Sequence, residues 1–145
     1  MLVDANILLY SVDEASPFHA KASAWLTAAL NGPRRVGLPW QSLWAYLRIA
    51  TNPRASLAPM TPGEAWENVD AWLAAPAAWT PAPGPGHAEI LRDLATRLDL
   101  RAGLVSDAAL AALALEHGLA IVSADSDFAR FPGLMWINPV APDAE

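Results

Sequence analysis

The chain has 145 residues, 54% of them apolar, enough to bury a core without cross-links, and reads as a single domain over 1–145. The absence of cysteine excludes a disulfide framework, a thiol nucleophile and thiolate zinc. A formal net charge of −6 excludes simple electrostatic wrapping of nucleic acid, although cations held in an acidic site would reverse the sign locally.

No uncharged run approaches the roughly 18 to 20 residues of a bilayer span. The N-terminus also lacks the basic and apolar stretches of a signal peptide, so the expected setting is the reducing cytoplasm, away from membranes. Eight of the nine basic residues are arginine, the better fork for phosphate, though GC-rich coding gives the same bias.

Leu2-Val3 predicts a short buried strand ending at Asp4, followed by helical turns through Ile7, Leu8 and Leu9. Pro17 is expected to open a helix with Phe18, Ala22, Trp25, Leu26, Ala29 and Leu30 on one face, stopped by Gly32-Pro33. Val36 to Leu38 predicts a second strand. After Pro39 a helix is expected to turn Trp40, Leu43, Trp44 and Leu47 inward and to end at Asn52-Pro53. A loop from Arg54 to Met60 leads to Thr61-Pro62-Gly63-Glu64, a capping box with proline at the first helical position. That helix would pack Trp66, Val69 and Leu73.

The Pro/Gly-rich stretch 76–86 reads as an internal connection with a short strand near Trp79, because neither flank could form a core alone. A helix with Ile90, Leu91, Leu94 and Leu98 follows. Ser106 is the predicted N-cap of a helix starting at Asp107, with Leu110, Leu113 and Ala114 inward and Gly118 as its stop. Leu119 to Val122 predicts another buried strand, followed by a helical turn through Phe128 and a last strand at 135–137. Short apolar strands alternating with helices predict an α/β fold: a three-layer α/β/α sandwich around a mainly parallel sheet.

In such sheets, sites form at the C-terminal strand ends. Asp4 ends the first strand, Asp125 and Asp127 follow the 119–122 strand, and Asp107 opens a helix where the macrodipole favours a negative charge. Each alone has a structural explanation as a turn former or helix cap. Converging carboxylates, however, repel unless a cation lies between them. Oxygen ligands without histidine or cysteine suit Mg²⁺ or Mn²⁺, and phosphodiester hydrolysis is the chemistry such a site supports best.

These motifs resemble PIN-domain ribonucleases of the VapC toxin type. Leu2-Val3-Asp4-Ala5-Asn6 is similar to their opening V-D-x-N pattern. Asp107-Ala108-Ala109-Leu110-Ala111-Ala112-Leu113-Ala114 is similar to the helix carrying a later acid, and Ser123-Ala124-Asp125-Ser126-Asp127-Phe128 to their T-x-D-x-D-F pattern. Trp40 to Pro53 resembles a subgroup seen in mycobacteria and other GC-rich bacteria. The resemblance runs from Met1 to about Pro139. It implies a PIN-like fold and an endoribonuclease of the toxin–antitoxin kind. The metal ligands would be Asp4, Asp107 and Asp125, joined by Asp127, and the metal Mg²⁺ or Mn²⁺. It also implies structured RNA such as tRNA as substrate, a VapB-type antitoxin as partner and a toxin homodimer.

One departure stands out. The glutamate that most PIN domains carry on the helix after the second strand aligns with Tyr46, one turn beyond Ser42. Hence the alternative of a catalytically weakened PIN domain that binds RNA or a partner without cutting. A phosphomonoesterase of the haloacid-dehalogenase type also begins with an aspartate after a strand. It needs a second aspartate where this chain has Asn6, and a later lysine where the chain offers only Lys21. Candidate RNA contacts are Asn6, which could equally cap its helix or reach Asp4, and Arg48, Arg54 and Arg130. His19, His87 and His117 have no ligand spacing and read as surface or capping residues. Most of the seven tryptophans read as core, with Trp66 or Trp72 free to line a groove for an antitoxin helix.

Overall fold

The structure, a computed structural model, describes residues 1–142. Its strands are β1 (Leu2–Val3), β2 (Val36–Gly37), β3 (Ala78–Trp79), β4 (Ile121–Val122) and β5 (Trp136–Ile137). Its α-helices are α1 (Ala5–Val12), α2 (His19–Leu30), α3 (Trp40–Ala50), α4 (Pro62–Leu73), α5 (His87–Arg97) and α6 (Gly103–Glu116), with a 3₁₀ helix at Ser126–Arg130. The sheet order is β3-β2-β1-β4-β5, and every adjacent pair is parallel.

Alternation along two-residue strands sends successive side chains to opposite faces. Val3 and Val122 enter a core shared with Ile7, Leu8, Leu26, Leu43, Tyr46 and Val69, from α1 to α4. Leu2 and Ile121 enter the other, with Leu94, Leu110, Leu113 and Phe128. Helices thus cover both faces, giving the expected three layers.

The capping box forms: Thr61 Oγ1 accepts from the Glu64 N–H at 3.2 Å, and Glu64 accepts from the Thr61 N–H at 2.8 Å. Gly118, at φ +65, ends α6 as expected. The 76–86 stretch supplies β3 and is then pinned to α6. The Glu116 carboxylate accepts from the N–H groups of Gly84 and Gly86 at 2.9 and 3.0 Å.

Four expectations need correction. Helix α2 starts at His19, not Pro17, and Phe18 instead meets the Tyr10 ring at 5.0 Å. The inward stripe of α3 is Ser42, Leu43 and Tyr46, which leaves Trp40 and Trp44 41% and 66% exposed. On α4, Trp66 is likewise exposed, whereas Trp72 is buried against Tyr46 with ring centroids 4.7 Å apart. Finally, α6 begins at Gly103, after Ala102 at φ 51. Ser106 caps nothing, and Asp107 lies in the second turn.

Candidate active site

Strand β1 pairs with β2 on one side and β4 on the other, so the chain reverses its direction of progress across the sheet beside β1. Helices leaving the two sides open a crevice at the C-terminal strand ends. Asp4 directly follows β1 and Ser123 directly follows β4.

The Asp4 carboxylate is held from three sides. One oxygen accepts from the Ala5 N–H at 2.7 Å, which makes Asp4 the N-cap of α1. The other accepts from Ser123 Oγ at 2.7 Å and from the Asn6 amide at 3.0 Å. Asn6 in turn donates to Ser123 Oγ and accepts from the Ala124 N–H at 3.2 Å. Asn6 therefore orients Asp4 and does not cap the helix. Ser123, fully buried, also accepts from the Asp125 N–H at 3.0 Å, and its carbonyl accepts from Trp136 Nε1 at 2.9 Å. The sequence reading gave Ser123 no role. The signal was a hydroxyl placed directly after a buried strand and two residues before an acid.

Asp125 caps the 3₁₀ helix by accepting from the Asp127 N–H at 2.9 Å. Carboxylate oxygens of Asp107, Asp125 and Asp127 all lie within 4.8 Å of one another. Asp4 lies outside that trio but close enough to act on it electrostatically. Residues 4, 107, 125 and 127 thus meet in one acidic region. Asp127 carries a further contact: Arg130 donates to it at 2.6 Å across a half-exposed pair. Exposed pairs of this kind hold little free energy, so Asp127 is readily released from Arg130.

Crowding shows in the protonation of the site. Burial, then the Asp125, Asp4 and Asp127 charges, push the Asp107 carboxyl up from 3.8 to about 6, opposed by Arg130. Asp4 is also raised, chiefly by burial, despite the Ser123 and Ala5 hydrogen bonds.

A cleft of about 350 Å³ beside these carboxylates is lined by Asp4, Gln41, Ser42, Trp44, Arg48, Ser106 and Asp107, among others. Ser42 is 2% exposed and its Oγ has no hydrogen-bond partner among the described residues. Arg54 does not line this cleft; it lies in the 51–60 loop, its N–H bonded to Asn52 Oδ1 at 2.9 Å. Asp13 and Glu14 line a separate hollow with Tyr10 and Ile49. His19 and His117 bond the carbonyls of Tyr10 and Ala82, and His87 stands 3.8 Å from Glu116; none reaches the aspartates.

The PIN domain family model matches residues 1–134. The chain belongs to the PIN-domain family. Within it the chain is similar to Ribonuclease VapC37 of Mycobacterium tuberculosis, 46% identical over 140 residues that cover 97% of each chain. Ribonuclease VapC33 of the same organism is 38% identical over 140 residues, 97% of this chain and 98% of the relative. Among solved structures, the fold resembles VapBC2 from Rickettsia felis bound to a DNA fragment from their promoter, with TM-score 0.69 at 15% identity over 94% and 96% of the two chains. It also resembles FitAcB from Neisseria gonorrhoeae, with TM-score 0.63 at 19% identity over 95% and 96%. No described helix is long and apolar enough to cross a membrane.

Tyr46, aligned with the usual PIN glutamate, does not line the cleft. Tyr46 points into the core, where its hydroxyl accepts from the Asn68 amide at 2.9 Å. Ser42, one turn earlier, is the buried α3 hydroxyl that lines the cleft with Asp4 and Asp107. At the place aligned with the glutamate this chain therefore offers the cleft no ligand. The site's donors are oxygens throughout, together with an unpartnered buried hydroxyl, and they fit a hard divalent cation.

Proposed function

We propose that this PIN domain, over residues 1–145, is a Mg²⁺- or Mn²⁺-dependent endoribonuclease and the toxin of a toxin–antitoxin pair in the cytoplasm. The observation that carries the reading is the meeting of Asp4, Asp107, Asp125 and Asp127, an arrangement unfavourable enough to hold a proton on Asp107 to about pH 6. Asp107, Asp125 and Asp127 would hold the cation, with Asp4 as a fourth anion kept in place by Ser123 and Asn6. When bound, the cation supplies charge neutralisation and activation of water for attack on phosphorus.

The chain's own residues do the rest. Arg48, exposed on the cleft rim, holds a phosphate of the strand. Arg130, now paired with Asp127, would be left free to contact a phosphate if Asp127 held the cation. Ser42, with no protein partner, is free to orient a water in the cleft.

The names of its relatives and neighbours support the substrate and the partner: the former are ribonucleases, and a protein of similar fold from Klebsiella pneumoniae belongs to a toxin–antitoxin complex. We take the restraining partner to be a VapB-type antitoxin whose C-terminal segment covers the cleft with a basic residue against the aspartates. We also take a second toxin copy to pair with the first.

The test is cleavage of tRNA by the purified chain with Mg²⁺, Mn²⁺ or EDTA, beside Asp4→Asn, and co-expression with the adjacent upstream reading frame. Metal-dependent cleavage lost in the variant, and a co-purifying complex, are expected. RNA binding with no cleavage at any metal concentration would instead establish the binding-only alternative, which Tyr46 in place of the usual glutamate favours.

A further inference from the structure

Trp40, Trp44 and Arg48 stand at i, i+4 and i+8 on α3, so they form one stripe along its exposed face. Two tryptophans left this open are uncommon, because each offers a large apolar surface that water penalises. Trp44 belongs to two adjoining hollows. One is the acidic cleft, with Asp4, Asp107 and Arg48. The other, of about 500 Å³, is walled by Trp40, Pro39, Pro81, Pro83, Val105 and Leu113, among others, and contains no carboxylate. The two share Gln41, Trp44 and Ser106. Gln41 donates to the Ser106 carbonyl at 2.9 Å, which ties α3 to α6 along the seam and fixes one hollow relative to the other.

We propose that the apolar hollow is a base-binding subsite, in which an unpaired base of the RNA strand stacks on Trp44 while the adjoining phosphate passes Arg48 toward the aspartates. This rests on the ribonuclease reading and adds to it a place for one base beside the acidic cleft. A paired base offers no free face to an aromatic ring, whereas a splayed base does. Successive stripe positions lie about 6 Å apart along the helix, the scale of one extended nucleotide. Arg48 is the only arginine or lysine lining either hollow and forms no ion pair among the described residues. An aromatic face followed by an unpaired cation beside a hydrolytic cleft matches a base followed by its phosphate. A protein helix would use the apolar wall but leave that cation unmatched.

The test uses the full-length chain in Mg²⁺ and a short 5′-labelled oligouridylate, with anisotropy read in the first seconds after mixing. Trp44→Ala should weaken binding by about 5- to 140-fold, the range set by aromatic–base stacking. Trp44→Phe should keep most of the affinity, and Phe18→Ala, an exposed aromatic elsewhere, should change nothing. An abasic ribose-phosphate strand should bind the parent as weakly as oligouridylate binds Trp44→Ala. Equal affinity of parent and Trp44→Ala for oligouridylate, or of the parent for both strands, overturns the subsite. Unchanged RNA binding with a self-associated state lost in sedimentation overturns it in favour of an interface between copies. Cleavage by the parent is scored separately. If it is absent, the nuclease reading falls while a Trp44-dependent affinity still stands. If it is present without Trp44 dependence, the subsite alone falls.

Discussion

Replacing Asp107 by asparagine should stabilise the metal-free chain at neutral pH. In the folded state its carboxyl is raised from 3.8 to about 6 by burial and by the Asp125, Asp4 and Asp127 charges. Below about pH 4 the group is protonated folded or unfolded, and contributes no difference. Between about 4 and 6 the unfolded chain gives up its proton first, so stability falls as pH rises, and above about 6 the full penalty persists. At about 1.4 kcal/mol per pH unit the penalty is about 3 kcal/mol, which partial exposure and solvent screening reduce to about 1–2 kcal/mol. For a chain of this size that is a rise of about 3 to 6 °C in Tm for Asp107→Asn at pH 7.5 in EDTA, fading to nothing near pH 4. Saturating Mg²⁺ should reverse the order, because the parent gains about 2.7 kcal/mol at a hundredfold excess over Kd and the variant gains less. Thermal melts at the two pH values, with and without Mg²⁺, decide the matter. An Asp107→Asn chain that melts lower than its parent at pH 7.5 in EDTA would refute the electrostatic account of the site.

Four further substitutions separate the residues around that cluster. Ser42→Glu should tighten Mg²⁺ binding by about tenfold while lowering Tm in EDTA, whereas Tyr46→Glu should cost about 3–5 kcal/mol through core disruption and give no gain in metal affinity by calorimetry. Ser123→Ala should cost about 1–3 kcal/mol, since the Asn6 amide and Asp125 N–H lose their acceptor, and weaken Mg²⁺ by about 10- to 100-fold as Asp4 loses its support. Unchanged metal titration would remove Ser123 from the site. Arg48→Ala should weaken RNA binding alike for all sequences and reduce the salt slope of log K by about 1, and an unaltered slope would rule out the phosphate contact.

Much of this architecture was legible before any coordinates. Leu2-Val3-Asp4 and Ile121-Val122 to Asp125 are local signals, a buried apolar pair followed by an acid, and the structure brings both acids into one acidic region. What failed depended on tertiary rotation. Periodicity alone allowed Trp40 and Trp44 to face inward, but α3 turns Leu43 and Tyr46 to the core, leaving the tryptophans outside and Ser42 lining the cleft. Ser106 has the chemistry of a cap, yet the chain enters α6 earlier, at Gly103, and no local rule anticipates the positive φ at Ala102. Ser123 was overlooked because its importance lies in a bond spanning 119 residues.

That same span sets an order of assembly as the chain is made. β1 emerges first, yet it occupies the middle of the sheet, and one of its two neighbours is β4, near the far end of the chain. Until residues 121–122 leave the ribosome, β1 has an open edge and Asp4 lacks Ser123. Until residue 127 follows, two of the four acids do not exist. A nascent chain that has not yet produced residues 121–127 therefore lacks the Asp4–Ser123 bond and two of the four clustered carboxylates, however well its first strand and helices have formed.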